Sequence, residues 1–216
     1  MSSHLKKRVI TSSILLLILF LMLIDNIILS YFLIITGIYS LMEFFSLIQI
    51  IYRNNKIIQT GINLIFVAYI FFFCNIFFIF SNFFHLKIIM FLILITCVFS
   101  DIGGFIFGKT FKGPKLTKIS PKKTIYGSLG SIIFSIFIFS VIMTYITKNF
   151  DFYFIIVALI TSISSQLGDL FFSFLKRKSS VKDTGNFLPG HGGILDRIDG
   201  ILLGLPLGFL SLLLFY

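Results

Sequence analysis

An all-α fold, a polytopic integral membrane bundle of about seven transmembrane helices, is what this sequence predicts, and three observations predict it. Of 216 residues, 57% are hydrophobic and only 12% are charged, where a soluble domain carries about 25% charged residues. Mean hydropathy is +1.06. The apolar runs reach roughly 25 residues, beyond the ~20 needed to cross the hydrocarbon core. They are rich in Phe, Ile and Leu and lack the alternation of a barrel strand, and a helix satisfies its own backbone hydrogen bonds within lipid.

The spans are expected at 9–24, 27–51, 58–80, 87–107, 125–147, 152–175 and 197–216. The first follows MSSHLKKRV, a start that looks like a signal peptide. No small-residue cleavage site comes after it, so a retained span is expected. The second follows at once across Asp25-Asn26, which predicts a tight hairpin. Glu43 lies within the second span, either paired with a lysine or purely structural. Asp25, Lys87, Lys148 and Asp151 are expected as solvated charges at span ends. The chain divides into N-terminal spans, 1–96, and a second region, 97–216, that carries two polar segments, 109–124 and 176–196. No repeat and no separate soluble domain is evident.

The formal net charge of +10 would suggest nucleic acid in a soluble protein. Here the cations sit in short loops, where membrane orientation and phosphate ligands explain them better; no nucleic-acid partner is expected. Sixteen of the eighteen cations fall on one side of the predicted topology. The positive-inside rule therefore puts the N-terminus and both basic segments in the cytoplasm. Cys74 and Cys97 lie inside apolar runs without CxxC spacing and read as ordinary core or lipid-buried residues.

Three constellations carry chemistry. Asp169 and Ser173 are i,i+4 on one helix face, extended by Lys176 with Arg177 beside it. Such a carboxylate can hold a metal or pair with those cations. The second runs through Pro189-Gly190-His191-Gly192-Gly193 to Asp196, Arg197 and Asp199, with Lys182 and Asp183 just upstream. Its glycines free backbone N–H groups. Asp196 and Asp199, at i,i+3, suit Mg²⁺, which takes one or two carboxylates plus substrate phosphates. Helix capping by Asp196 with Asp199 in a salt bridge is the plainer alternative. His191 between glycines suits phosphate or a loop hydrogen bond. In the third, Asp101 within an apolar run needs a partner, and Ser120, Lys122, Lys123 and Thr124 abut the next span. Lysines there suit phosphate, or simply set topology. No P-loop, dinucleotide fingerprint, Ser/His/Asp triad or zinc spacing is present.

From Ser173 to Asp199 the chain reads S-x-L-K-R-x4-K-D-x-G-x2-L-P-x-H-G-G-x-L-D-R-x-D. This resembles the signature of the phosphatidate cytidylyltransferase (CDP-diacylglycerol synthase) family. Gly168-Asp169-Leu170 resembles the G-D-L that precedes it, and Asp101, Gly104, Gly108-Lys109 and Ser120 to Thr124 resemble the family's other cytoplasmic segment. The resemblance covers roughly 97–216. Glu43 resembles an acid often found in an early span. Two positions depart from the pattern: Ile125-Tyr126 stand where Trp-Glu is usual, and Phe172 where Glu is usual. The chain is short for the family, which implies one or two fewer spans at its N-terminal end.

The resemblance implies a reaction of CTP with phosphatidate that yields CDP-diacylglycerol and pyrophosphate in a bacterial cytoplasmic membrane. It also implies a homodimer. It assigns catalysis to Asp169, Lys176, Arg177, Lys182, Asp183, His191, Asp196, Arg197 and Asp199. Substrate binding falls to Ser120, Lys122, Lys123, Thr124, Ser173, Gly192 and Gly193. Mg²⁺ would be held by Asp169, Asp196 and Asp199, with Asp101 as a further ligand and room for a second cation such as K⁺. Rival readings are a CTP-dependent polyprenol kinase, a transporter using the charges as a path, and a decayed enzyme that keeps the signature.

Overall fold

The structure, a computed structural model, describes residues 3–187 and 192–215. Among them are seven α-helices: α1 (Ser3–Ile24), α2 (Asn26–Ile51), α3 (Lys56–Ser81), α4 (Phe84–Phe111), α5 (Ile125–Thr147), α6 (Tyr153–Lys178) and α7 (Leu195–Phe215). Six of these, α2 to α7, are long and apolar enough to cross a membrane; α1 contributes a shorter apolar stretch, Ile10–Ile24. The membrane-bundle fold class holds. His191, with Leu188, Pro189 and Gly190, lies outside the described residues.

Two boundaries differ from expectation in a way that matters. α6 runs past the expected span end at 175 through Lys176, Arg177 and Lys178, so all three cations stand on the helix. Positive charge in the last turn meets the negative end of the helix dipole, and long side chains carry it outward while their stems pack. α4 likewise continues through Lys109 to Phe111.

The chain forms two compact units. The first comprises Met1–Lys87 with Leu175–Ile198. Here Asp25 alone joins α1 to α2 and caps α2 by accepting from the Ile27 N–H at 2.7 Å. That is the expected hairpin. Asn55 caps α3 by accepting from the Ile58 N–H at 3.2 Å. α2 and α3 pack through Phe44 stacked on Phe66 at 3.7 Å between ring centroids. Lys87 is not a solvated charge: it is 5% exposed, and its Nζ donates to Asn26 Oδ1 at 2.7 Å. The reason is that α4 begins at Phe84, which places Lys87 inside its first turn.

The second unit comprises Ile88–Phe174 with Asp199–Tyr216. Its helices approach closely through small residues, which suits helix association where lipid removes the hydrophobic drive. A Cβ on Gly103 of α4 would meet the Gly130 carbonyl of α5 at 2.6 Å, and one on Gly168 of α6 would meet the Asp199 carbonyl of α7 at 2.5 Å. A hydrogen bond of 2.9 Å between Ser100 and Ser162 ties α4 to α6. The segment between α4 and α5 folds back on itself. The Leu116 N–H donates to the Lys123 carbonyl at 2.8 Å and the Ile125 N–H to the Pro114 carbonyl at 3.0 Å.

Candidate active site

In the second unit, Asp101, Gly104, Phe105, Leu116, Lys122, Lys123, Gly127, Ser128, Ser131, Gln166 and Asp169 line a cavity of about 280 Å³. Three elements place its charges. Asp101 comes from α4, Lys122 and Lys123 from the folded-back segment, and Asp169 from α6. Lys123 forms an ion pair with Asp169 Oδ2, both side chains about one-quarter exposed. Ser173 Oγ donates to Asp169 Oδ1 at 3.2 Å, as the i,i+4 spacing predicts. The lining also has a neutral polar part: Ser128 Oγ donates to Gln166 Oε1, and Gln166 Nε2 reaches Ser162 Oγ at 3.3 Å. A cavity with two acids, two lysines and uncharged donors can hold a phosphate and a hard cation together.

In the first unit, Asp196 gathers a second cluster. Its Oδ1 accepts from Lys176 Nζ at 2.7 Å, with side-chain exposures of 15% for Lys176 and 8% for Asp196. Its Oδ2 accepts from the Thr184 N–H at 2.8 Å and the Gly193 N–H at 3.1 Å. Three of roughly four acceptor positions on that carboxylate are thus engaged. Gly193 gives its N–H to Asp196, and so serves the fold of the segment. Gly192 has φ +83°, a left-handed backbone that favours glycine.

The remaining predicted residues sort by exposure. Arg177, Lys182, Asp183, Arg197 and Lys122 are exposed, and Asp199 is half-buried in the second unit. Thr124 is the N-cap of α5, accepting from the Gly127 N–H at 3.0 Å. The Ser120 N–H donates to Thr117 Oγ1 at 3.2 Å. These two polar residues shape the segment that carries the lysines. Among the described residues, no three His, Cys, Asp or Glu side chains gather into a metal-holding group. The carboxylates that fit Mg²⁺ best are Asp101 and Asp169, because they line one cavity.

Sequence reasoning left Glu43 open and overlooked Thr184, Ser128 and Gln166. Glu43 is 7% exposed. It accepts from Thr184 Oγ1 at 2.7 Å, the Ile194 N–H at 3.0 Å and the Leu195 N–H at 2.9 Å. A signal existed, since it is the only acid in a 26-residue apolar helix. Gln166 is i,i+3 from Asp169, on the same face of α6. The departures also resolve. Phe172 is 3% exposed in the core, while Tyr126 packs beside Phe111 and over Gly113. Neither lines the cavity.

The profile of the cytidylyltransferase family matches residues 51–215. This chain belongs to the cytidylyltransferase family. The match takes in α3 to α7 and with them both charged clusters. A phosphatidate cytidylyltransferase of Rickettsia typhi is 41% identical over 129 residues, covering 55% of this chain and 56% of the relative. One of Rickettsia felis is 42% identical over 134 residues, covering 56% and 59%. One of Staphylococcus haemolyticus is 44% identical over 110 residues, covering 50% and 42%. The chain thus spans about half the length of the curated relatives it matches.

Proposed function

We propose that this chain is a phosphatidate cytidylyltransferase, joining CTP and phosphatidate into CDP-diacylglycerol with release of pyrophosphate. The observation that carries the reading is the cavity in which Lys122 and Lys123 stand with Asp101 and Asp169, in a chain of this family. The lipid phosphate oxygen would attack the α-phosphorus of CTP. The bond from that phosphorus to the bridging oxygen breaks, and pyrophosphate leaves. Both reactants are anions, so charge neutralisation and alignment supply most of the catalysis and no protein nucleophile is needed.

Lys122 and Lys123 would bind phosphate oxygens, and Lys176, held by Asp196, would do the same in the first unit. Arg177, Lys182 and Arg197 are exposed and would meet the headgroup or the pyrophosphate. Asp101 and Asp169 would hold Mg²⁺, which when bound withdraws charge from phosphate oxygens. Ser128 and Gln166 offer uncharged hydrogen-bonding groups in the cavity lining.

The decisive experiment gives purified protein CTP labelled in the cytosine ring, phosphatidate and Mg²⁺. Label entering the lipid phase together with pyrophosphate release supports the reading. CDP release with a phosphorylated lipid alcohol would replace it with a kinase, and no transfer with any divalent metal would end it.

The same reading puts the chain in a bacterial cytoplasmic membrane, as a homodimer with a cytoplasmic N-terminus, so that the basic segments meet soluble CTP. Alkaline phosphatase fused after Lys118 is then expected to be inactive, and fused after Lys148 active. The opposite pattern would invert the topology.

A further inference from the structure

The segment that follows α6 does not stay at the helix ends. Phe187 packs on Tyr39, 3.9 Å between ring centroids, and Thr184, Ile194 and Leu195 all bond to Glu43. Glu43 lies eight residues before the end of α2 at Ile51, about 12 Å along the helix at 1.5 Å per residue. Thr184, Ile194 and Leu195 therefore lie two to three turns in along α2. Irregular backbone among apolar helices is tolerated only where its polar groups find partners. Glu43 supplies them.

Two of the three donors are the N–H groups of Ile194 and Leu195, at the start of α7. They have no partner within that helix. A carboxylate from another helix here does the work of an N-cap and also meets the positive end of the α7 dipole. The third donor, Thr184, links Glu43 to the charged cluster. Its hydroxyl goes to Glu43 while its N–H goes to Asp196 Oδ2. Gly185 and Gly193 leave room for this arrangement. A Cβ on Gly185 would meet Glu43 Oε1 at 2.5 Å, and one on Gly193 would also run into the Glu43 carboxylate. These glycines admit Glu43.

We propose that Glu43 is a positioning residue: it anchors Thr184, Ile194 and Leu195 against α2 and, through Thr184 and the first turn of α7, sets the Asp196–Lys176 pair. The kinetic part of the test rests on the function proposed above; the exchange part does not.

The test uses the full chain in detergent, as wild type, Glu43→Gln, Thr184→Val and the double variant. A glutamine has the same shape, but its NH₂ must face one of three donors. Amide exchange without substrate is expected to quicken about tenfold or more at 184–187 and 193–195 in Glu43→Gln, with α4 and α5 unchanged. With CTP and phosphatidate, kcat is expected to fall about tenfold or more while both KM values stay within about twofold, since Glu43 is buried and does not line the cavity. The double variant should be no worse than the weaker single variant by more than about twofold, because both changes break one linkage.

Unchanged exchange would overturn the proposal. So would a KM effect with kcat kept, or losses that multiply. If Glu43→Gln does not fold, Thr184→Val alone must quicken exchange at residues 193–195 and lower kcat, or the linkage is wrong. A wild type without transferase activity would end the functional reading and leave the exchange result to judge the anchor.

Discussion

Asp196→Asn is expected to lower CDP-lipid formation by about 10³-fold, the scale on which loss of a preorganised charge contact acts. Asparagine has the shape of aspartate but only one acceptor oxygen. If that oxygen keeps the N–H groups of Thr184 and Gly193, the NH₂ faces the Lys176 ammonium. If it keeps Lys176, the NH₂ faces two backbone donors. Either way a contact now between 2.7 and 3.1 Å becomes donor against donor. Removing one member of a well-buried ion pair costs about 3–5 kcal/mol. Lys176 keeps some exposure, so about 3 kcal/mol or less is expected here. The labelled-CTP assay should therefore be run beside a thermal denaturation of the same sample. Loss of transfer at a nearly unchanged midpoint places Asp196 in the chemistry. Transfer within about tenfold of wild type would leave it as scaffold only.

Asp169→Asn is expected to raise the Mg²⁺ concentration for half-maximal rate by about 10- to 100-fold. Asp169 shares its cavity with Asp101 and is ion-paired with Lys123, so it can serve either a metal or the lysine. The metal titration separates these roles. A metal ligand predicts a shifted titration that excess Mg²⁺ partly restores. A lysine partner predicts a lower maximal rate with an unshifted titration, and Lys123→Met would then match it. An unshifted titration would remove Asp169 from the metal site and leave Asp101 as the carboxylate to test.

Much of this was legible in the residues. Apolar run length located the helices, because the bilayer sets a length that sequence must satisfy. The Asp169–Ser173 contact followed from i,i+4 spacing. The lysines beside α5 fell in the same cavity as Asp101 and Asp169, which lie 68 residues apart. Composition could not pair those two acids, since nothing local in α4 points toward α6. Lys87 was misread as solvated because burial depends on where Asn26 lies. Tyr126 and Phe172 looked like gaps in an acidic site until their packing put them outside the cavity.

Glu43 marks the division between the two sources. Fold class, the count of helices, the clustering of cations and the family signature were all written in local spacing, where each residue's environment is set by its near neighbours in the chain. The partners of Glu43 are 141 to 152 residues away. Which donors a buried carboxylate meets is a matter of three-dimensional proximity. An isolated acid in an apolar helix announces that it needs partners without saying which. Folding chose Thr184 and the first N–H groups of α7, and in doing so brought them in along α2.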